Sequence, residues 1–397
     1  MAEAMREELA ERTEAGPASR TVAMVGAGQL ARMTQRAAID LGIELRVLAS
    51  SESESAVRAG VVTVIGSPSE LDDLRRLAEG ARVITFDHEG VPTELIAELE
   101  REGLTVVPAP EAKRLAQDKW HARERLGSEG FPFPPHKLVH TPAEVREFGD
   151  AFGWPVVAKA PVGGYDGRGV WEWEGPGDLQ SGERLPEPVL VEPKLDLDLE
   201  ISVLVARSTI GETVTFPVAE TVQRDAMCRE IVVPARISPD LAERACDLAV
   251  SVVEKVGACG IVAVEMFVDD DELLLNELAL RPHNSGHFTI EGCETSQFEQ
   301  HLRAILGWPL GSTALTAPSV VTVNVVGPDD GSDPRERVAQ AVAVEGAHVH
   351  IYDKEPRPGR KLGHVTVRAN DPVIARERAL EAVEILEGRA AGEEGVQ

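Results

Sequence analysis

Between Asn276 and His287 the chain reads NELALRPHNSGH, and between Lys354 and His364 it reads KEPRPGRKLGH. The first segment places a carboxylate (Glu277), a guanidinium (Arg281), an imidazole (His283), an amide (Asn284) and a hydroxyl (Ser285) within nine residues, just after the apolar run Leu273–Leu275. A packed core has no use for that density of polar groups. A site for an anion and a divalent cation does, because each charge there has a partner. The second segment gathers Lys354, Arg357, Arg360 and Lys361 in a chain with only eight lysines and a formal net charge of −27. Such a cluster suits a phosphate pocket; a solvated basic turn is the alternative.

Glu265 lies in the strand-like run Val262–Val268, and Glu277 lies past the next apolar run. If the two pair as a hairpin around Asp269-Asp270-Asp271, their carboxylates come together. Two hard oxygen ligands plus nucleotide phosphates are what Mg²⁺ prefers. Lys159 ends the run Val156–Lys159 and is followed by Gly163-Gly164-Tyr165-Asp166-Gly167-Arg168-Gly169. A lysine at a strand end can reach phosphates as a point charge, and a glycine-rich loop can close over them with backbone N–H groups. No GK[ST] ends the loop, so it is not a Walker A sequence; a flexible hairpin turn is the bland reading. Gly26-x-Gly28-x-x-Ala31 resembles a dinucleotide fingerprint. The second strand, however, ends Leu48-Ala49-Ser50, with no acid for a ribose and no arginine for a 2′-phosphate, which argues against a nicotinamide site.

The elements that must hold these groups fall into blocks. Residues 1–19 look like a loose leader. Strands at 21–25, 44–48, 61–65, 83–86 and 105–107 alternate with helices at 31–41, 70–78 and 93–102, which predicts a parallel sheet with helices on both faces. Next come a helix over 111–126, a Pro-rich link at 131–135 and strands at 156–159 and 189–192. Residues 200–207 alternate like a half-buried strand, and 239–256 read as a helix. A strand at 320–326, a helix near 336–342 and a strand near 349–352 follow, with a polar tail over 387–397. The 397 residues exceed one compact core. The acidity argues against nucleic-acid binding. Four cysteines without a CxxC pair argue against zinc and against a disulfide framework. No apolar run reaches membrane-span length and no signal-type h-region is present, so no membrane partner is expected and the cytoplasm is the default.

Together GAGQLARM, AKRLAQDK, AKAPVGGYDGRG, NELALRPHNSGH and YDKEPRPGRKLGH resemble the N5-carboxyaminoimidazole ribonucleotide synthetase family, ATP-grasp ligases of de novo purine synthesis. The resemblance runs from about Thr21 to about Leu386. It implies a mixed α/β and α+β fold: a Rossmann-like pre-ATP-grasp domain (20–112), an ATP-grasp domain (113–315, small lobe about 120–190, large lobe about 191–315) and a small C-terminal closing segment (316–386). It implies that ATP, bicarbonate and 5-aminoimidazole ribonucleotide give the N5-carboxylated product, ADP and phosphate, through carboxyphosphate. Mg²⁺, or Mn²⁺ in its place, is the implied metal. A homodimer and a separate downstream mutase are the implied partners.

Carried over by motif, Arg114 and Lys159 resemble nucleotide-phosphate contacts, and Gly164, Tyr165, Asp166, Gly167, Arg168, Gly169 and Val170 resemble the flap over ATP. Glu192, Pro193, Lys194 and Leu195 would line the adenine, Glu200 would hold the ribose, and Gln223 stands where some members have a histidine near the nucleotide. Glu265 and Glu277 would bind the metal, with Asn276 beside them. Tyr165, Asp166 and Arg168 look like contacts to the ribonucleotide, with Gln29 and Glu89 touching it from the N-terminal domain. Arg281, His283, Asn284 and Ser285 would face bicarbonate and the reacting amine, and Lys354, Arg360 and Lys361 would hold the 5′-phosphate. Asp166 and His283 are both candidates for a general base, as is bound phosphate. Ala279 stands where many carboxylating ATP-grasp enzymes have asparagine, which counts against a biotin carboxylase. The rivals are a formate-dependent phosphoribosyl ligase and a non-catalytic nucleotide-binding shell.

Overall fold

The computed structural model describes residues 20–164, 169–179, 185, 188–224 and 226–389. The chain divides into two compact units after Val107. In the first, β1 (Thr21–Val25), β2 (Glu44–Ala49), β3 (Val62–Ile65) and β4 (Val83–Phe86) form a parallel sheet in the order β3-β2-β1-β4. The expected strand at 105–107 is a single parallel bridge, Ile84 to Val106. β4 is buried throughout and β1 in all but its first residue, as parallel strands covered on both faces must be.

The glycine fingerprint here has an internal cause. Gly26 sits at φ 106°, and a Cβ there would lie 1.7 Å from Asp87 Oδ1. Asp87, one residue past β4, accepts a hydrogen bond from Gly28 N at 2.8 Å, at the start of the helix Gln29–Asp40. The protein's own carboxylate thus occupies the helix N-terminus where a dinucleotide would put its pyrophosphate. Gly26→Ala is expected to cost on the order of 4 kcal/mol in a denaturant titration, from clash plus positive φ. Gly60→Ala, at φ 78° with open space around it, should cost only about 1 kcal/mol. Equal costs would refute this role for Asp87.

The second unit begins with a departure. The helix expected over 111–126 is two helices, Pro110–Gln117 and Lys119–Gly127. Asp118 between them is extended, bridges Val162, and caps the second helix by accepting from His121 N at 2.9 Å. This cap and bridge outweigh the helical pattern and turn Lys119 and Arg123 toward the strands that follow.

β5 (Lys137–Val139), β6 (Val156–Lys159), β7 (Val170–Trp173) and β8 (Val189–Pro193) make an antiparallel sheet in the order β5-β8-β6-β7, backed by the helix Pro142–Phe152. The larger sheet contains β9 (Leu199–Arg207), β10 (Thr213–Thr215), β11 (Ala219–Arg224), β12 (Met227–Val233), β13 (Gly260–Asp269), β14 (Glu272–Ala279), β15 (Ser319–Val326), β16 (Ala347–Ile351) and β17 (Lys361–Ala369). Its order is β14-β13-β9-β11-β12-β15-β17-β16, with β10 beside β9.

β9 is not half-buried as its alternation suggests; Ile201–Ala206 are buried without a break. Ile201, Val203 and Val205 pack under the helix Pro239–Val256, while Leu204 and Ala206 enter a second core with Phe216 and Phe288. Because β15 pairs with β12, the C-terminal segment continues this same sheet. The helix Pro372–Glu387, which the sequence reading did not mark, covers β15 and β17.

Three buried histidines make this unit acid-sensitive. Burial holds His301 down at about 3, and holds His287 and His364 far below the usual imidazole range, with neighbouring charges adding to the effect on the last two. At pH below about 6.5 the unfolded chain takes up protons that the native state refuses, so stability is lost as pH falls. The loss is about 1.4 kcal/mol per histidine per pH unit. Calorimetry at pH 5.5 in buffers of different ionisation enthalpy should show proton uptake on unfolding; proton release would contradict it.

Candidate active site

The hairpin β13–β14 brings Glu265 and Glu277 into direct cross-strand register. Burial, with the Glu277 and Glu200 carboxylates adding, pushes the Glu265 carboxyl up to about 8, against the pull of Lys361 and Lys119. Lys119 Nζ lies 3.0 Å from Glu277 Oε2. Beside them Lys159 Nζ, at the end of β6, donates to Asn276 Oδ1 at 3.2 Å across the two sheets and to Glu192 Oε2 at 2.6 Å. Glu192 also receives Arg123 Nε at 2.5 Å. Burial would raise the Glu192 carboxyl, but the Lys159 and Arg123 charges outweigh it and hold it below the usual range.

Glu192 is therefore a buried anchor for two cations. Lys194 is paired with Glu172 on β7. Glu200 on β9 accepts from Gln223 Nε2 on β11 at 3.2 Å, and burial pushes its carboxyl up. Arg114 is exposed on its helix. Gly164, Gly169 and Val170 border the loop between β6 and β7; Tyr165, Asp166, Gly167 and Arg168 lie outside the described residues. Gln29 and Glu89 follow β1 and β4, at the carboxyl edge of the first unit's parallel sheet.

After β14 the loop 281–287 is braced by Gln297, which the sequence did not flag. Its Oε1 accepts from His283 N at 2.8 Å, and its Nε2 donates to His283 O at 2.8 Å and to His287 Nδ1 at 3.2 Å. Gly286 is required here, because a Cβ would lie 2.3 Å from Leu204 Cδ2 and 2.6 Å from Gln297 Oε1. Ser285 does not face the cleft as expected. It is 1% exposed, and its hydroxyl bonds His283 Nδ1 at 2.9 Å and Ser202 Oγ at 2.7 Å. Asn284 Nδ2 is buried with no hydrogen-bond partner, and Arg281 Nη1 donates to Pro282 O at 3.2 Å.

The basic segment joins the site through Lys361, whose charge acts on both Glu265 and His283. Lys354 Nζ stands 5.5 Å over the Tyr352 ring, and Arg360 Nη1 donates to Glu355 O at 3.1 Å. A column of stacked rings fixes both ends of that segment. His364 lies 4.8 Å from His287 and 4.4 Å from His350, and its Nδ1 is 2.7 Å from Tyr352 Oη. Unlike Lys119, which ends the motif AKRLAQDK, Arg123, Ser202 and Gln297 had no sequence signal beyond their type. His287 and His364, each ending a quoted motif in GH, did.

Two antiparallel lobes meeting at Lys159 and Asn276, with paired strand carboxylates on one and a glycine-bordered loop on the other, define an ATP-grasp protein. The chain matches the ATP-grasp domain over residues 124–298, the ribonucleotide synthetase preATP-grasp domain over 19–117 and the phosphoribosylaminoimidazole carboxylase C-terminal domain over 320–378. It is 47% identical over 383 residues to the N5-carboxyaminoimidazole ribonucleotide synthase of Mycobacterium leprae, covering 90% of this chain and 87% of that one. The chain belongs to the N5-carboxyaminoimidazole ribonucleotide synthase family. The Corynebacterium ammoniagenes protein of the same name is 40% identical, over 93% of this chain and 92% of its own. The Aspergillus clavatus synthase in complex with ADP and 5-aminoimidazole ribonucleotide superposes with a TM-score of 0.83 at 32% identity, over 94% of this chain and 99% of that one. The Thermus thermophilus synthetase gives 0.83 at 34%, over 94% and 100%.

Proposed function

We propose that this chain carboxylates 5-aminoimidazole ribonucleotide to N5-carboxyaminoimidazole ribonucleotide at the expense of ATP, as a ligase of purine biosynthesis. The observation that carries the reading is the convergence on one cleft of the Glu265–Glu277 pair, Lys159 and Lys361, from four different strands. Phosphoryl transfer needs positioning and charge neutralisation more than covalent help from the protein. Lys159, already held by Glu192 and Asn276, is pre-positioned for a nucleotide phosphate. Glu200 with Gln223 would receive ribose hydroxyls. Lys361, with Lys354 and Arg360, supplies the positive end suited to a 5′-phosphate.

The carboxylates fit a hard divalent cation. Among the described residues no three His, Cys, Asp or Glu side chains cluster as a closed metal cage. Two facing carboxylates, with burial and then mutual repulsion pushing the Glu265 carboxyl up, instead suit Mg²⁺ shared with substrate phosphates. When bound, the ion would neutralise charge on the transferring phosphoryl group.

Bicarbonate as carboxyl donor, carboxyphosphate as the activated species, a homodimer and a separate mutase taking the product belong to the same reading. Tyr165, Asp166 and Arg168 on the glycine-rich loop would couple substrate binding to closure, excluding water from an acyl phosphate that hydrolyses readily. No helix among the described residues is long and apolar enough to cross a membrane. The test is ADP formation from Mg-ATP and bicarbonate with and without 5-aminoimidazole ribonucleotide. Strong dependence on the ribonucleotide is expected; turnover indifferent to it would assign another acceptor.

A further inference from the structure

His283 stands between two partners of different kind. Its Nδ1 faces the protein: the backbone N–H of Ser285 donates to it at 3.3 Å, and Ser285 Oγ is 2.9 Å away. A backbone amide can only donate, so Nδ1 must carry a lone pair. Ser285 can then turn its hydroxyl proton toward Nδ1, which leaves its oxygen to accept from Ser202 Oγ at 2.7 Å. Ser202 is fully buried on β9 and sits directly across from Glu265 in the β9–β13 register. The other ring nitrogen, Nε2, faces the cleft 3.7 Å from Glu265 Oε1, too far for a hydrogen bond to that oxygen. Gln297 holds both backbone polar groups of His283, so the ring cannot be redirected by a shift of the loop.

We propose that the Ser202–Ser285 relay locks His283 in the Nε2–H tautomer, so that His283 serves the cleft as a neutral hydrogen-bond donor to a substrate oxygen and not as its general base, with Ser202 as a positioning residue. The Ser285 N–H bond places the lone pair on Nδ1 by donor chemistry, and the two hydroxyl directions follow from that placement. A neutral ring protonated at Nε2 has no lone pair facing the cleft; its one basic nitrogen is turned inward against Ser285. Burial, with the Arg281 and Lys361 charges adding, disfavours the imidazolium form, which agrees with a neutral ring. A donor next to the paired carboxylates is the group a bound anion's oxygen requires there. The identity of that oxygen rests on the carboxylation reading; the tautomer does not.

The tautomer can be read without turnover, from long-range ¹H–¹⁵N correlations of the full-length protein labelled at histidine, with His283 assigned by the signal lost in His283→Gln. The expected pattern is a protonated Nε2 and an unprotonated Nδ1, with the opposite tautomer gaining population in Ser202→Ala and more in Ser285→Ala. Ser285→Ala should lower kcat about tenfold, the worth of one hydrogen bond. His283→Gln keeps a donor amide and should retain activity to within about tenfold, whereas a lost general base costs on the order of 10²–10⁴. His283→Phe should abolish turnover. A protonated Nδ1 in the wild-type protein overturns the proposal whatever the activity, and so does His283→Gln falling as far as His283→Phe. A protonated Nε2 in a protein that ignores the ribonucleotide would instead leave the tautomer standing and sink the substrate assignment.

Discussion

Glu265→Gln is expected to lower ribonucleotide-dependent ADP formation by roughly a thousandfold while raising the melting temperature of the metal-free protein. Both effects have one cause. Glu265 and Glu277 are cross-strand partners, with Glu200 near enough to add to the repulsion, and the Glu265 side chain is only 24% exposed. In EDTA at pH 8 the pair is a repulsive contact that folding must tolerate, so a neutral amide relieves on the order of 1–2 kcal/mol, or a few degrees. On the proposed reading the same crowding would favour a divalent cation, and removing one of the two proposed ligands would take away charge stabilisation of the size of one lost pre-organised transition-state contact, about 10²–10³. Steady-state kinetics over a range of Mg²⁺ and a melting scan in EDTA would check both halves. A variant with near-normal turnover would end the metal assignment; one with a lower metal-free melting temperature would show that the pair is not under repulsion.

The largest stability effect is expected at Glu192. Arg123 and Glu192 are 1% and 3% exposed at their side chains, and Lys159 is 14% exposed, so three charges share one buried centre. Glu192→Gln leaves two cations facing a neutral amide. Breaking a buried pair in this way costs about 3–5 kcal/mol. For a unit of this size that is on the order of 10 °C in melting temperature. Any change in KM for ATP should be secondary, arising from a misplaced Lys159. Differential scanning calorimetry of the variant beside wild type decides the matter. A shift within about 2 °C would mean that the triad contributes little, and a large rise in KM without a melting shift would return the Glu192 side chain to direct nucleotide contact.

The first unit shows how a local motif can be legible while its cause is not. Gly26 and Gly28 resembled a dinucleotide fingerprint, and the lack of an acid after the second strand argued against a dinucleotide. The reason for the glycines is Asp87, about sixty residues on, which enters through the β1–β4 pairing. β9 teaches the converse. Its alternation suggested one wet face, but alternate residues enter two different cores, because the helix Pro239–Val256 covers one side and the Phe216–Phe288 cluster the other.

By itself the sequence determined the candidate groups for chemistry and much of the local structure around them. The acidic turn Asp269–Asp271 closes a hairpin and so brings Glu265 and Glu277 near each other; a one-residue bulge at Asn276, not the turn's register alone, puts Glu277 directly opposite Glu265. Lys159 at a strand end before a glycine-rich loop, and the polar run 281–287 after an apolar one, are legible for the same reason: they depend on neighbours a few residues away. The tertiary structure alone decided which of these groups are free to act and which are anchored. Glu192 became a buried counter-ion, Ser285 a relay and Gln297 a brace, because their partners Arg123, Ser202 and His283 arrive from other strands and helices. Strand order and the break at Asp118 set those meetings, and both follow from long-range packing and hydrogen-bond satisfaction, which no short window of residues contains.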